Sequence, residues 1–285
     1  MNRSLTKGMT WRRKRQGMHR RRRRKLPPHL HRTWRGAEAL EPRLMLSNVS
    51  GHITEDTVWD DANEIYNVTG DLWVDDGATL TLQQGVKVYL NPDCDFTING
   101  SMVINDAEWV KLHDNDRDVS IEVYGNLSVT DTLFQDDYNA HWNKTTELDI
   151  HSGATFSASG CTFDVKQVHL REGSIIEIED GNNILGTRLY CPSTYVPRLT
   201  GNMGFDTVRI YGDTLHQDVS WPLLPEMDRY YLDGSFTVAD AATLTMEPGT
   251  RLYMPRNTTL TINGSMVIND AEWVKLHDND RDVSI

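Results

Sequence analysis

Alternating aspartates form the clearest candidate for a chemical site in this chain. Asp114, Asp116 and Asp118 lie at alternate positions. The same pattern recurs at Asp278, Asp280 and Asp282. Carboxylates spaced in this way can converge on a hard cation, and calcium takes about six to eight oxygen ligands, so calcium is the one cofactor that the sequence suggests. A solvated turn whose Asp side chains cap neighbouring N–H groups is the favoured alternative, because no EF-hand glycine or glutamate follows at the required spacing.

No other set of residues points to a specific reaction. His113, His151 and His169 show no H-E-x-x-H or comparable spacing, which argues against a catalytic metal. The three cysteines lack C-x-x-C spacing, so we expect buried apolar residues rather than a zinc site or a disulfide framework. Carboxylate pairs suited to glycoside hydrolysis are unavoidable among 41 acidic residues. The sequence therefore favours a non-enzymatic role and nominates no catalytic residue.

The acidic pattern belongs to an internal repeat. Residues 97–121 recur letter for letter as residues 261–285, at an offset of 164. Such duplication is typical of chains that stack structural units, each unable to bury its apolar face alone. Apolar and polar residues alternate in short runs, for example at Ala78, Leu80 and Leu82. This period of two predicts half-buried strands and little helix.

A longer phrase recurs at a spacing that suits one coil of a solenoid. It begins with Gly or Ala, alternates apolar and polar residues, and passes an Asp or Gly before an aromatic residue. The phrase begins at Gly100, Gly125, Ala154 and Gly264. Stacking in register places like residues above like, so the phrase predicts a parallel β-helix in which each coil adds about 4.8 Å of rise. An antiparallel β-sandwich is the alternative, because strands separated by turn signals can also form hairpins.

Glycines and tryptophans around these phrases give more specific expectations. Turn sequences containing Gly77, Gly181 and Gly234 predict backbone with positive φ. Trp109 and Trp273 end equivalent phrases. We expect these rings to face inward or to pack in turns, with an exposed sugar-stacking surface as the alternative.

The first strands of the repetitive body have a characteristic opening. It covers residues 57–59, 66–72 and 77–86, and a looser copy lies at 220–249. This opening resembles that of bacterial right-handed β-helix proteins of the pectin-lyase-like type. The resemblance implies one module at 51–215 and the beginning of a second at 216–285.

The same resemblance raises the possibility of an enzyme. Pectate lyases of this fold use calcium-bound carboxylates and an arginine base, and Arg117 and Arg171 would be the candidates here. Against this stands the charge of the body, because a strongly acidic protein repels a polyuronate unless cations are bound.

An arginine-rich leader precedes the body. Residues 1–36 contain 14 Lys or Arg and no Asp or Glu, which leaves 15 basic and 41 acidic groups, or −26, in the rest of a chain whose total is −12. Repulsion at this density, with little apolar content, predicts a disordered leader. Nucleic-acid binding through this arm is a disfavoured alternative, because no recognised binding motif follows and the acidic body would repel a polyanion.

Residues 37–50 form a linker that contains a short motif. Its residues are Leu40, Glu41, Pro42, Arg43, Leu44, Met45 and Leu46. They resemble the LEPR-XLL motif near the start of large exported proteins of planctomycetes and some other bacteria, with Met45 replacing a leucine. The resemblance implies export, with the export machinery as the partner of this motif. The sequence shows neither the apolar core of an ordinary signal peptide nor a membrane-spanning stretch.

Together these features predict the N-terminal part of an acidic β-helical protein that is extracellular or at the cell surface. Its role would be structural or adhesive, with extracellular polysaccharide or cell-envelope components as partners. A polysaccharide lyase or glycoside hydrolase of the pectin-lyase-like fold is the enzymatic alternative. Because the sequence ends within a phrase at Ile285, we also expect a longer parent protein and self-association at the open last coil.

Overall fold

The computed structural model describes residues 45–112, 119–136 and 146–270, together with the backbone of 273–276. The leader 1–36 and the sorting motif as far as Leu44 lie outside these residues. So do Asp114, Asp116, Asp118, Asp278, Asp280 and Asp282. The predicted calcium sites, the sorting role of the motif and self-association at the last coil therefore stay predictions. Met45 and Leu46 of the motif begin the first strand.

Short strands make up most of the described chain. In its first part these are β1 (Met45–Ile53), β2 (Thr57–Trp59), β3 (Glu64–Val74), β4 (Thr79–Leu82), β5 (Lys87–Leu90), β6 (Asp95–Ile98), β7 (Ser101–Asn105), β8 (Trp109–Leu112), β9 (Val119–Val123), β10 (Asn126–Thr130), β11 (Leu133–Asp136), β12 (Thr146–Ile150), β13 (Thr155–Ser159), β14 (Thr162–Asp164), β15 (Gln167–Leu170), β16 (Ile175–Ile178) and β17 (Arg188–Cys191). A 3₁₀ helix, Ser193–Leu199, follows. The remaining strands are β18 (Thr207–Ile210), β19 (Thr214–Leu215), β20 (Val219–Trp221), β21 (Arg229–Leu232), β22 (Phe236–Val238), β23 (Thr243–Met246), β24 (Arg251–Met254), β25 (Leu260–Ile262), β26 (Ser265–Ile268) and β27 (Trp273–Leu276).

These strands wind into a parallel β-solenoid of about nine turns. Every pairing between the described strands is parallel. The predicted all-β, parallel β-helical fold is confirmed, and the antiparallel β-sandwich is excluded for this part of the chain. Within the same residues, no helix is long and apolar enough to cross a membrane.

The core consists of side chains stacked in register along the solenoid. The longest sheet runs in the order β14-β11-β8-β5-β3-β6-β9-β12-β15-β17-β18-β21-β24-β27, with β1 also paired to β3. One inward row comprises Leu72, Phe96, Ile121, Leu148, Val168, Leu189, Val208, Tyr230 and Leu252. All of these side chains are buried. Since burying an aliphatic or aromatic side chain contributes about 1.5–3 kcal/mol, such rows stabilise a protein with otherwise polar composition.

The Asp or Gly of the recurring phrase has one structural role in every copy. Asp106, Asp131, Gly160 and Asp270 have φ of 54°, 47°, 65° and 47°, which is the left-handed region. Only Gly, Asn and Asp adopt this region at modest cost, because larger side chains clash with the backbone. The phrase thus fixes where each coil turns out of its strand.

The turn glycines serve two different purposes. Gly77 and Gly181 have φ of 82° and 91°, as predicted. Gly234 does not lie in the left-handed region, and that prediction is wrong. A Cβ at Gly234 would instead lie 3.0 Å from the Cα of Gly212 on the adjacent coil, so close packing explains the small residue there. A Cβ at Gly125 would likewise overlap the carbonyl oxygen of Gly100.

The two copies of the repeat contribute to different sheets. Strand β6 pairs with β3 and β9 in the long sheet. Its repeat equivalent, β25, pairs with β22 in a three-stranded sheet. In the second copy the long sheet is continued by β21 and β24, which correspond to the first half of β3 and to β5. The copies therefore share one solenoid but differ by one face.

This change of face occurs where the 3₁₀ helix Ser193–Leu199 packs against β16 and β20. The helix replaces a strand between the six-stranded sheet that ends at β16 and the three-stranded sheet that contains β20. The long sheet nevertheless crosses the predicted module boundary at 215/216, through the pairing of β18 with β21.

Candidate functional site

The long sheet presents one outward residue per coil, aligned in register, and we call this row the outward column. It comprises His52, Trp73, Thr97, Glu122, Asp149, His169, Tyr190, Arg209, Tyr231 and Tyr253. Successive side chains in a strand point to opposite faces, so the apolar inward rows leave this column facing out. Aromatic, imidazole and charged groups dominate the column. Three of its members, Asp149, His169 and Tyr190, are covered by their neighbours and are at most 8 % exposed.

An imidazole and two carboxylates meet near the middle of the column, in what we call the Glu–Asp–His cluster: Glu122, Asp149 and His151. Glu122 on β9 lies beside Asp149 on β12, and His151 directly follows β12. The Nε2 of His151 is 2.6 Å from Oε2 of Glu122 and 4.0 Å from Oδ2 of Asp149. One donor atom from each residue lies within 4.8 Å of the other two.

Neighbouring side chains hold the cluster in place. The Nε of Arg171 donates to Oδ1 of Asp149 at 2.9 Å, and the Nη2 of Arg171 donates to Oδ2 of Asp149 at 2.5 Å. The ring of Tyr124 stacks on that of His151 with centroids 4.0 Å apart. The hydrogen bond to Asp149 raises the pKa of Arg171 above its already high value. Arg171 therefore stays protonated, which does not suit the role of base that the lyase resemblance would give it.

His169 continues the column as a buried, neutral imidazole. Its Nδ1 is 2.7 Å from the hydroxyl of Tyr211, and its Nε2 is 2.9 Å from Oε1 of Gln167. Burial lowers the pKa of His169 to about 4, and the charge of Arg171 adds to this effect. Neutral at physiological pH, the ring accepts a hydrogen bond from the Tyr211 hydroxyl through Nδ1 and donates through Nε2. Burial also raises the pKa of Tyr211, so that phenol stays protonated.

A groove that we call the Arg–Tyr groove lies further along the same face. Its volume is about 510 Å³. The lining residues are Arg188, Asp206, Thr207, Arg209, Arg229, Tyr231 and Tyr253. The lining contains three guanidinium groups and one carboxylate, and two of the three guanidinium groups are ion-paired, Arg209 with Asp233 and Arg229 with Asp228.

Cation–π contacts organise the groove. The guanidinium carbon of Arg209 lies 4.2 Å from the ring centroid of Tyr231, and that of Arg229 lies 5.6 Å from the ring centroid of Tyr253. The rings of Tyr231 and Tyr253 stack with centroids 5.3 Å apart. Arg209 also pairs with Asp233 at 2.9 Å, while its Nε is buried without a hydrogen-bond partner. Arg209 and Arg229 are thus fixed in orientation.

The change of face between the repeats creates this groove. Arg229 and Tyr231 occupy repeat positions that hold Ile65 and Asn67 in the first copy. Those counterparts lie on the first half of β3 and stack on β5, away from Tyr190 and Arg209. A repeat alignment alone could therefore not locate the groove.

Other sequence-based expectations have mixed outcomes. Cys94, Cys161 and Cys191 are buried free thiols, as expected, and burial raises the pKa of each. Trp109 does not face inward as expected: its ring occupies an outward, half-buried position at the start of β8, with the Lys111 ammonium 4.9 Å from its centroid. The side chain of Trp273 lies outside the described residues.

One histidine lies in a cluster that its spacing along the chain does not indicate. Spacing along the chain gave no sign of a metal site at His151, yet stacking of coils places this ring beside carboxylates of Glu122 and Asp149. Glu122 and His151 are 29 residues apart, so no local motif could reveal the cluster. His113 lies outside the described residues.

No known family model, no curated protein and no solved structure matches this chain. The solenoid, the outward column and the Arg–Tyr groove are the features of this chain that bear on its function.

Proposed function

We propose that this protein is an exported β-solenoid that binds acidic glycans on its long sheet, in a structural or adhesive role at the cell surface or outside the cell. One observation carries the proposal: the Arg–Tyr groove, where Arg209 and Tyr231 stack within a concave surface of about 510 Å³. Ligand sites typically combine aromatic walls with a few oriented polar groups in volumes of about 300–1,000 Å³.

The chemistry of the groove favours a glycan that carries carboxylate or sulfate groups. Tyrosine faces offer apolar stacking surfaces with polar edges, as sugar rings require. Guanidinium groups bind carboxylate and similar anions through paired N–H donors, and three of them line the groove. The whole body is acidic, but charges beyond about 8–10 Å are screened at physiological salt. The arginines of the groove and the carboxylates paired with them are therefore the charges that act on a bound ligand.

The architecture suits a long polymer. The outward column repeats every coil, at about the 4.8 Å spacing of neighbouring strands, so an extended chain can contact several coils at once. A solenoid of stacked coils forms such elongated surfaces without mobile parts. The resemblance to the LEPR-XLL motif and to pectin-lyase-like proteins supports the exported location and the choice of polysaccharide as ligand.

A polysaccharide-cleaving enzyme is the second candidate. Carboxylate oxygens of Glu122 and Asp149 lie within 4.8 Å of each other, close to the roughly 5–5.5 Å separation of retaining glycosidases. Asp149 is, however, held by Arg171, and Glu122 by His151. Prolonged incubation of the protein with each acidic polymer, followed by measurement of the polymer length, distinguishes binding from cleavage. Shortened polymers would support the enzyme.

The test of glycan binding uses calorimetry with the full 285-residue chain. Polygalacturonate, a sulfated galactan and neutral dextran are compared at low and physiological salt. We expect binding of an acidic polymer and none of dextran. Replacement Tyr253→Ala should weaken binding about tenfold, equivalent to about 1.4 kcal/mol.

The matched control is Tyr89→Ala, because Tyr89 is the repeat equivalent of Tyr253 on the other branch of the sheet. This variant should bind like the wild-type protein. Equal losses in both variants, or no binding of either acidic polymer by the wild-type chain, would contradict the proposal.

A further inference from the structure

We propose that Glu122, Asp149 and His151 form a binding site for a divalent first-row transition metal ion such as Zn²⁺. The site lies in the Glu–Asp–His cluster, outside the Arg–Tyr groove, and does not depend on glycan binding. Two adjacent coils supply the donors. Glu122 and Asp149 are partners in register, and His151 follows Asp149 by two positions, which places it on the same side of the sheet.

The distances fit one small ion. Donor atoms about 2.1 Å from a tetrahedral ion lie roughly 3.4 Å from one another. The two distances from Nε2 of His151, 2.6 Å to Glu122 and 4.0 Å to Asp149, fall on either side of this value. Binding of an ion would therefore lengthen the first distance and shorten the second. Three protein donors leave a fourth position on the outward side for water or a ligand group.

The surroundings resemble the supporting shell of a metal site. Asp149 is only 4 % exposed, and both of its oxygens accept hydrogen bonds from Arg171. Ligating carboxylates are commonly oriented by such outer hydrogen bonds. Tyr124 fixes the plane of the His151 ring by stacking. Arg171 neutralises one of the two carboxylates, and a bound dication would compensate the remaining negative charge while replacing the contact between His151 and Glu122.

The donor set distinguishes this site from a calcium site. Calcium and magnesium take oxygen ligands, whereas imidazole together with carboxylates suits zinc, copper, nickel and iron. The predicted calcium sites at the repeated aspartates consist of oxygen donors alone, so the two predictions concern different ions and different residues.

His52 and Asp75, on the same face, form a similar arrangement that can be compared with the Glu–Asp–His cluster. The Nδ1 of His52 lies 2.8 Å from Oδ1 of Asp75, and the His52 ring stacks on Trp73 with centroids 4.7 Å apart. This pair has the imidazole, the carboxylate and the stacked aromatic ring, but within the described residues no third donor completes it. His52 therefore provides a matched control.

The experiment is a titration of the full chain with Co²⁺ and Zn²⁺ at pH 7. Because His29 and His31 in the leader are spaced for adventitious metal binding, both are replaced by Gln in every sample. Visible absorption of Co²⁺ reports nitrogen and oxygen ligation, and competition with Zn²⁺ gives the affinity. We expect one equivalent to bind, with binding weakened at least tenfold in His151→Gln and Glu122→Gln and unchanged in His52→Gln.

Circular dichroism establishes that each variant retains the β-rich fold, and calcium titration should give the same result in His151→Gln as in the parent chain. No uptake of Co²⁺ or Zn²⁺ by the parent chain, or equal uptake by His151→Gln, would overturn the proposal. Loss of glycan binding in the Tyr253→Ala variant leaves the metal titration unaffected, so the two proposals fail separately.

Discussion

Arg209 is sandwiched between two tyrosines of the adjacent coils, with its guanidinium carbon 4.2 Å from the ring centroid of Tyr231 and 5.4 Å from that of Tyr190. The three residues are direct partners in the register of β17, β18 and β21. Cation–π contacts of this kind contribute about 0.5–2 kcal/mol and fix the plane of the guanidinium group. The arginine is thus oriented before any ligand arrives, which reduces the entropy cost of binding.

The first prediction concerns this arginine. Replacement Arg209→Gln should lower the affinity for an acidic glycan about tenfold and should flatten its dependence on salt, because one oriented positive charge is lost. Calorimetry at two salt concentrations measures both effects. Arg198→Gln serves as the control, since Arg198 stacks on Tyr195 in the 3₁₀ helix and does not line the groove. An unchanged salt dependence in Arg209→Gln would count against anion recognition by the groove.

The second prediction concerns the pH dependence of stability. The pKa of His169 falls from 6.5 to about 4 on folding, so the unfolded chain binds a proton more readily between these values. Stability due to the neutral ring is therefore complete above about pH 6.5 and is lost as the pH falls towards 4. We expect a contribution of about 1–2 kcal/mol to the free energy of unfolding at pH 7.

Urea denaturation between pH 4 and 7.5 measures this contribution by comparing the wild-type protein with His169→Gln. Burial raises the pKa of Asp164 and Asp213, which stabilises the fold on acidification and opposes the effect of His169. The quantity to compare is therefore the difference in free energy of unfolding between the wild-type protein and His169→Gln at each pH. Parallel profiles for wild type and His169→Gln would refute the prediction.

The third prediction concerns a buried asparagine pair in the interior. Asn182 is fully buried, and its Oδ1 accepts a hydrogen bond from the backbone N–H of Cys161 at 2.8 Å. Its Nδ2 donates to Oδ1 of Asn202 on the next coil at 3.0 Å. Asn182→Ala should therefore lower the free energy of unfolding by about 2–3 kcal/mol, because buried polar groups lose their partners.

The midpoint of urea denaturation gives the result for Asn182→Ala. The control is Asn126→Ala, whose side chain is exposed and makes one weak hydrogen bond, to Ser101 at 3.3 Å. This change should cost less than about 0.5 kcal/mol. Similar midpoints for the two variants would show that the buried asparagines are not a source of stability.

Local sequence patterns predict the coil but not the way in which coils meet. Alternation in runs such as that of Leu80 and Leu82 follows from burial on one face, and both side chains are buried as expected. The position of Asp106 and Asp131 follows from backbone sterics, which act within a few residues. These features are local, and reading them requires no knowledge of the neighbouring coils.

Contacts between neighbouring coils cannot be predicted from these local patterns. Trp109 and Phe134 are the aromatic residues that end two copies of the recurring phrase. In the structure Phe134 pairs with Val110, so Trp109 lies one position away from the inward row. The Glu–Asp–His cluster joins residues of two adjacent coils, and the number of residues between them in the sequence depends on the length of the coil. The Arg–Tyr groove requires the switch of face near the 3₁₀ helix, for which the repeated sequence offers no signal.

The switch of face changes where a copied segment lies on the solenoid without changing the sequence of that segment. The identical strands keep equivalent neighbours in both copies, since β6 pairs with β3 and β25 pairs in the same register with β22, which corresponds to the second half of β3. What differs is the face of the solenoid on which these strands stack. A solenoid of this kind can diversify its exterior by changing the face on which a copied unit continues the stack. The short helical connector between copies, rather than the copied strands, then becomes the place where a small change has the widest effect on recognition.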